Sequence, residues 1–181
     1  MVFSNDTEQA LLSAAALINT VSGSLDALAT EHDLDVFIDE QQFSGGRTGS
    51  LAELRSVRQL RAQLREIWTA TEDEAARLSN LILSNARALP QLVKHDQWDW
   101  HLHATPPEAP LALRMGTEAA MALADVIRAK ELSRLRICAA ADCEAVLVDL
   151  SKNRSRRFCD TGNCANRTHV AAYRRRKSAA S

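Results

Sequence analysis

Residues 138–167 read CAAADCEAVLVDLSKNRSRRFCDTGNCANR, and the reading of this stretch decides how the C-terminal end of the chain folds. It holds all four cysteines of the 181 residues, together with five basic side chains. The spacing is C-x4-C, fifteen residues, then C-x4-C: Cys138, Cys143, Cys159 and Cys164. Two short-spaced pairs at this separation suit tetrahedral zinc, because each pair reaches one ion from a tight turn. Two disulfides, or four unrelated core cysteines, would use the same residues. Exclusive clustering and the absence of an export signal argue for the metal. Four thiolates close the coordination sphere, so a single zinc per chain is expected to be structural. His169 follows Cys164 by five residues, about 140° around a helix, and is expected on the surface, where it could meet phosphate.

The sequence between the pairs suggests a hairpin. Residues 145–150 (AVLVDL) and 156–159 (RRFC) read as its strands, with 151–155 at the turn, and a helix follows from 163 to 177. Knuckle, hairpin, then a helix carrying the last ligand is the order of a treble-clef finger.

Charge is distributed unevenly. Residues 133–181 hold 11 Lys/Arg against 4 Asp/Glu, a balance of +7, whereas residues 1–132 hold 11 against 19. The net charge of −1 conceals this asymmetry. A zinc tetrathiolate lowers the C-terminal lobe only to about +5. Such a lobe on an acidic body points to a polyanion partner. Lys152, Arg154, Arg156 and Arg157 flank the expected turn, Arg167 and Arg174 share a helix face, and Arg175, Arg176 and Lys177 extend the row. Arg matches phosphate oxygens bidentately, though a solubilising surface would have the same composition.

Upstream, apolar residues recur at helical spacing over 6–20, 51–68 and about 111–131. Thr30 with Asp33, and Thr71 with Glu74, mark helix starts of the capping-box kind. The segment 43–50 (FSGGRTGS) is a loop, and Pro90 is expected to end the helix begun at Thr71. Residues 91–104 change period: Trp98, Trp100 and Leu102 alternate with polar neighbours, as in an antiparallel hairpin. The fold class is therefore mainly α with a small β-hairpin: an α-helical N-terminal domain (1–132) plus a treble-clef-like zinc finger (133–181). The N-terminus lacks a basic leader, and the apolar run at 10–18 is too short to span a bilayer, so a cytoplasmic protein without membrane contact is expected.

Three weaker features stand apart. Arg55, Arg58, Arg61 and Arg65 border one apolar stripe; Arg58 and Arg61 could bind an anion, but a flank of ion pairs is the commoner outcome. Asn19 could tie backbone together or touch a ligand. His101 and His103 point the same way from a strand, with no nearby carboxylate or cysteine evident in the sequence. No nucleophile motif, phosphate loop or carboxylate dyad marks the chain as an enzyme.

SKNRSRRFC followed by CANR resembles the CGNR-type zinc finger that ends a family of bacterial stress-induced transcription regulators, whose N-terminal domain is called ABATE. ALINT (16–20), LAELRSVRQLRAQL and WDWHLH are compatible with that domain. The resemblance implies that the four cysteines are zinc ligands and that Asn153, Ser155, Arg156, Arg157, Asn166 and Arg167 occupy patterned polar positions. It implies DNA as the partner of the finger, and an N-terminal domain with an unidentified small-molecule or protein partner. The Gly of CGNR is Ala165 here, which suits a helical position. RNA is the alternative partner, since phosphate attraction does not distinguish the two. A ligand-binding or enzymatic N-terminal domain with a purely structural finger is the third reading.

Overall fold

Helix period sets the first five helices, and side-chain caps at Thr30, Ser50 and Thr71 start three of them. A computed structural model describes residues 2–95 and 98–179. It contains α1 (Asn5–Ile18), a two-residue hairpin β1 (Val21–Ser22) and β2 (Leu25–Asp26), α2 (Glu31–Glu40), α3 (Leu51–Thr69) and α4 (Glu72–Asn85). There follow β3 (Gln91–His95), β4 (Trp98–His103), α5 (Leu111–Arg128), β5 (Leu135–Ile137), β6 (Val146–Val148) and α6 (Cys164–Ala179). The Thr30–Asp33 box is reciprocal: Thr30 Oγ1 accepts from the Asp33 amide at 3.2 Å, and Asp33 accepts from the Thr30 amide at 2.7 Å. At Thr71 only half the box forms, because Glu74 pairs instead with Arg77 at 2.7 Å. Helix α4 ends at Asn85, five residues before Pro90. Arg87 then takes a left-handed φ of 48° that no regular helix continues.

The core is a bundle with α5 packed against α1, α3 and α4. The alanines of α5 permit this close approach, and so does Gly116. A Cβ at Gly116 would lie 3.0 Å from Leu60 of α3 and 3.4 Å from Ile82 of α4. Leu11, Leu54, Val57, Leu64, Ile67 and Leu123 are almost fully buried here. The 43–50 loop is fastened by the buried Arg114, which donates to the carbonyls of Ser44, Gly46 and Ala109.

The expected hairpin at 91–104 is present, with Leu92 opposite Leu102 and Val93 opposite His101. Residues 96 and 97 and the side chain of Trp98 lie outside the described residues. Leu92, Trp100 and Leu102 are exposed, so this hairpin carries its apolar residues outward.

The second expected hairpin is corrected. Strand β6 pairs not with 156–159 but with β5, in the register Leu135–Val148, Arg136–Leu147, Ile137–Val146. The reason lies in burial. All three residues of β6 are buried, and Leu135, Val146 and Val148 belong to the same core as the bundle helices. A strand enclosed in this way requires an apolar partner, which LRI supplies and RRFC does not. Residues 156–159 run alongside without forming a ladder, touching through the Ala139 amide and the Arg157 carbonyl at 2.8 Å. Among the described residues, no helix is long and apolar enough to cross a membrane.

Candidate metal centre and the cationic surface around it

The β5–β6 hairpin carries the first cysteine pair at its end, and α6 begins on the last cysteine. All four sulfurs lie within 4.8 Å of one another, with Cys143–Cys159 and Cys159–Cys164 separations of 3.7 Å. Zinc–sulfur bonds of about 2.3 Å at a tetrahedral centre place sulfurs about 3.8 Å apart. Two edges of the quartet thus already have the length that zinc requires. Cys138, Cys159 and Cys164 are buried and Cys143 is half-buried. The four cysteines hold one structural zinc.

Four thiolates around a divalent ion carry a net charge of −2, which the protein offsets with donors. The Thr161 hydroxyl donates to Cys159 Sγ at 3.2 Å, the Cys159 amide to Cys138 Sγ at 3.5 Å, and Arg167 Nη2 to Cys164 Sγ at 3.3 Å. Burial pushes the Cys143 thiol up to about 12. Burial also opposes the Cys159 thiolate, but the hydroxyl and amide of Thr161 outweigh it and hold that thiol at about 7. The turn between the last two cysteines is tight: a Cβ at Gly162 would lie 3.2 Å from Cys164 Sγ.

The cations divide into two sets. In the first, each side chain is turned back on the protein. Arg167 grips Asp142 with both terminal nitrogens (2.7 and 3.3 Å) besides its bond to Cys164. Arg154 pairs with Glu131 at 2.7 Å, and Arg156 with Asp160. Arg136 and Arg134, which carried no sequence expectation, brace the segment 149–156. Arg136 pairs with the fully buried Asp149 at 3.1 Å and caps the carbonyls of Arg154 and Arg156. Arg134 donates to the carbonyls of Asp149 and Ser151. Burial disfavours charge on Asp149, yet bonds from Ser151 and the nearby Arg136 keep its carboxyl below the ordinary range. The only sequence cue to this brace was an acidic residue inside a basic lobe.

The second set faces solvent. Lys152, Asn153 and Arg157 are exposed around the turn, with Arg157 over the Phe158 ring at 5.9 Å. His169 is exposed and meets the edge of Phe158, with centroids 6.0 Å apart. Asn166 is exposed and donates to Asn163 at 2.7 Å. Arg174, Arg175, Arg176 and Lys177 project from the last turns of α6. Among the described residues, the guanidinium groups of Arg174, Arg175 and Arg176 make no ion pair.

The candidate ligand residues of the helical part serve the fold. Asn19 clamps the backbone of Val146, donating to its carbonyl and accepting from its amide, both at 2.8 Å. Arg61 forms a two-pronged pair with Asp26 (2.7 and 2.8 Å) and also donates to Thr20. Arg58 donates to the carbonyls of Leu28 and Ala29, and Arg65 to that of Glu144.

Comparison with known proteins agrees with this geometry. No curated protein matches the chain. The CGNR zinc finger matches residues 134–177. The ABATE family, described as "Putative stress-induced transcription regulator", matches residues 13–130. A helical body followed by a four-cysteine lobe is thus what these two matches meet in order, and the chain belongs to the ABATE family with a CGNR zinc finger as its C-terminal part.

Proposed function

We propose that the protein is a cytoplasmic, non-catalytic transcription regulator, with residues 133–181 gripping DNA and residues 1–132 receiving a signal. One observation carries the reading: an exposed cationic helix, α6, starts on a zinc ligand and is thereby anchored at its first turn to the metal centre. Anchored presentation of cations lowers the ordering cost of gripping a phosphate backbone. Lys152, Arg157, Arg174, Arg175 and Arg176 are the contacts proposed for phosphate, joined by Lys177. Asn153, Asn166 and His169 are proposed at the rim. Arg154, Arg156 and Arg167, with their internal carboxylate partners, reach nucleic acid only by exchanging those partners. They contribute less than their charge suggests.

The test uses the full zinc-loaded chain. Log affinity for duplex DNA against log salt should fall with a slope of about −4 to −5, as for about five phosphates. Selection from genomic fragments and from transcripts should enrich DNA. Enrichment of transcripts alone would transfer the reading to RNA. Failure to bind either at low salt would leave the finger a folding element and return the function to residues 1–132.

A further inference from the structure

Phosphate contact by the cations of α6 makes no use of two of its side chains, Val170 and Tyr173. They are 47% and 61% exposed, large apolar groups standing in water on a helix rich in Arg and Lys. At about 100° per residue, the two lie about 60° apart and form one ridge. Ala165, Thr168 and Ala172, the half-buried positions that follow Cys164, cluster on the opposite side of the helix. The ridge therefore faces away from the rest of the protein. Arg174 and Arg176 are both exposed and project about 160° from each other, one on either flank of the ridge.

An apolar ridge with a cation on each flank complements the major groove of duplex DNA. The floor of that groove offers base edges and thymine methyl groups, and its two walls are rows of phosphates. It is about 12 Å wide and admits an α-helix. The major groove of A-form RNA is too deep and narrow for side chains to read, so the complementarity is to DNA.

We propose that α6 is a reading helix. Val170 and Tyr173 contact base edges in the major groove, Val170 against a thymine methyl group, while Arg174 and Arg176 hold the phosphates of the two walls. The inference rests on DNA being the partner of the finger and adds a sequence preference to it. Attraction to phosphate is blind to sequence, so preference comes from side chains that reach the groove floor.

Selection from a pool of randomised duplexes, run with the full zinc-loaded chain, tests this. The wild type should enrich a short motif containing thymine, each mismatch within it costing about 5–150-fold in affinity. Val170→Ala/Tyr173→Ala should keep one zinc per chain, the helical circular dichroism and the salt slope on random duplex, yet lose the preference. Replacing the contacted thymine by deoxyuracil removes only a methyl group. It should weaken the wild type about fourfold, the worth of one buried CH₂ group, and leave Val170→Ala unaffected. That comparison uses the unaltered protein and so holds even if the double variant misfolds. Duplex binding without any preference, or a preference unchanged in the double variant, would overturn the reading helix and leave the phosphate grip standing. Absence of duplex binding at low salt would remove the DNA reading itself, and this inference with it.

Discussion

The chain has two rows of arginines, and they behave differently. On α3, Arg58, Arg61 and Arg65 all reach inward: to Asp26, to the carbonyls of Leu28 and Ala29, and to the carbonyl of Glu144. On α6, Arg174, Arg175 and Arg176 stand in solvent. In sequence both rows are basic residues at helical spacing. What separates them is the surroundings: α3 lies beside a hairpin carrying a carboxylate and beside loops with unpaired carbonyls, whereas the last turns of α6 extend past the zinc centre with little packed against them. Availability, rather than charge, distinguishes a binding surface from a brace.

The largest expected effect falls on the anchor of the exposed row. Cys159→Ser, or a strong chelator, should release the zinc and unfold the finger, since structural zinc contributes on the order of 10 kcal/mol to so small a lobe. Because Leu135, Val146 and Val148 lie in the bundle core, the thermal midpoint of the helical body should fall as well. A finger that kept its structure without metal would break the link between zinc and α6.

Arg61→Met tests the inward row. Its guanidinium is nearly buried and makes two charge-assisted bonds, so the loss should be about 1.5–3 kcal/mol by urea unfolding. DNA affinity should not change at constant folded fraction. The same pair predicts a pH dependence. The hydrogen bond from Arg61 holds Asp26 down at about 2, below its ordinary 3.8. A carboxylate depressed in the folded state contributes stability fully above its unfolded value and loses it as pH falls towards the folded one. Urea midpoints should therefore decline between about pH 4 and pH 2. Asp26→Asn, less stable at neutral pH, should show a shallower decline.

The smallest effect on stability, and the sharpest on binding, is expected from Arg174→Ala/Arg175→Ala/Arg176→Ala. Unfolding should shift by no more than about 0.5 kcal/mol, as for exposed positions. The salt slope of DNA binding should become shallower by about 2.7, since each phosphate contact contributes about 0.9. Arg167→Ala gives the contrast within the finger. It removes a donor to Cys164 and the partner of Asp142, so it should weaken zinc retention against a chelator, a readout that a pure phosphate contact would leave unmoved.

The sequence alone determined the zinc quartet, the caps at Thr30 and Thr71, and the helical stripes. Each is a pattern closed within fewer than about thirty residues, where chain geometry dictates which side chains can meet. Tertiary structure alone decided the rest. It chose Leu135–Ile137 over 156–159 as the partner of β6, because burial on both faces demanded an apolar neighbour contributed from before the first cysteine. It turned Asn19 and Arg61 into braces through contacts that link α1 to β6 and α3 to the hairpin before α2. It also set His101 and His103 in one cavity wall with Glu118 and Asp125, residues more than a dozen positions away. Such meetings depend on how helices pack, which no local spacing encodes.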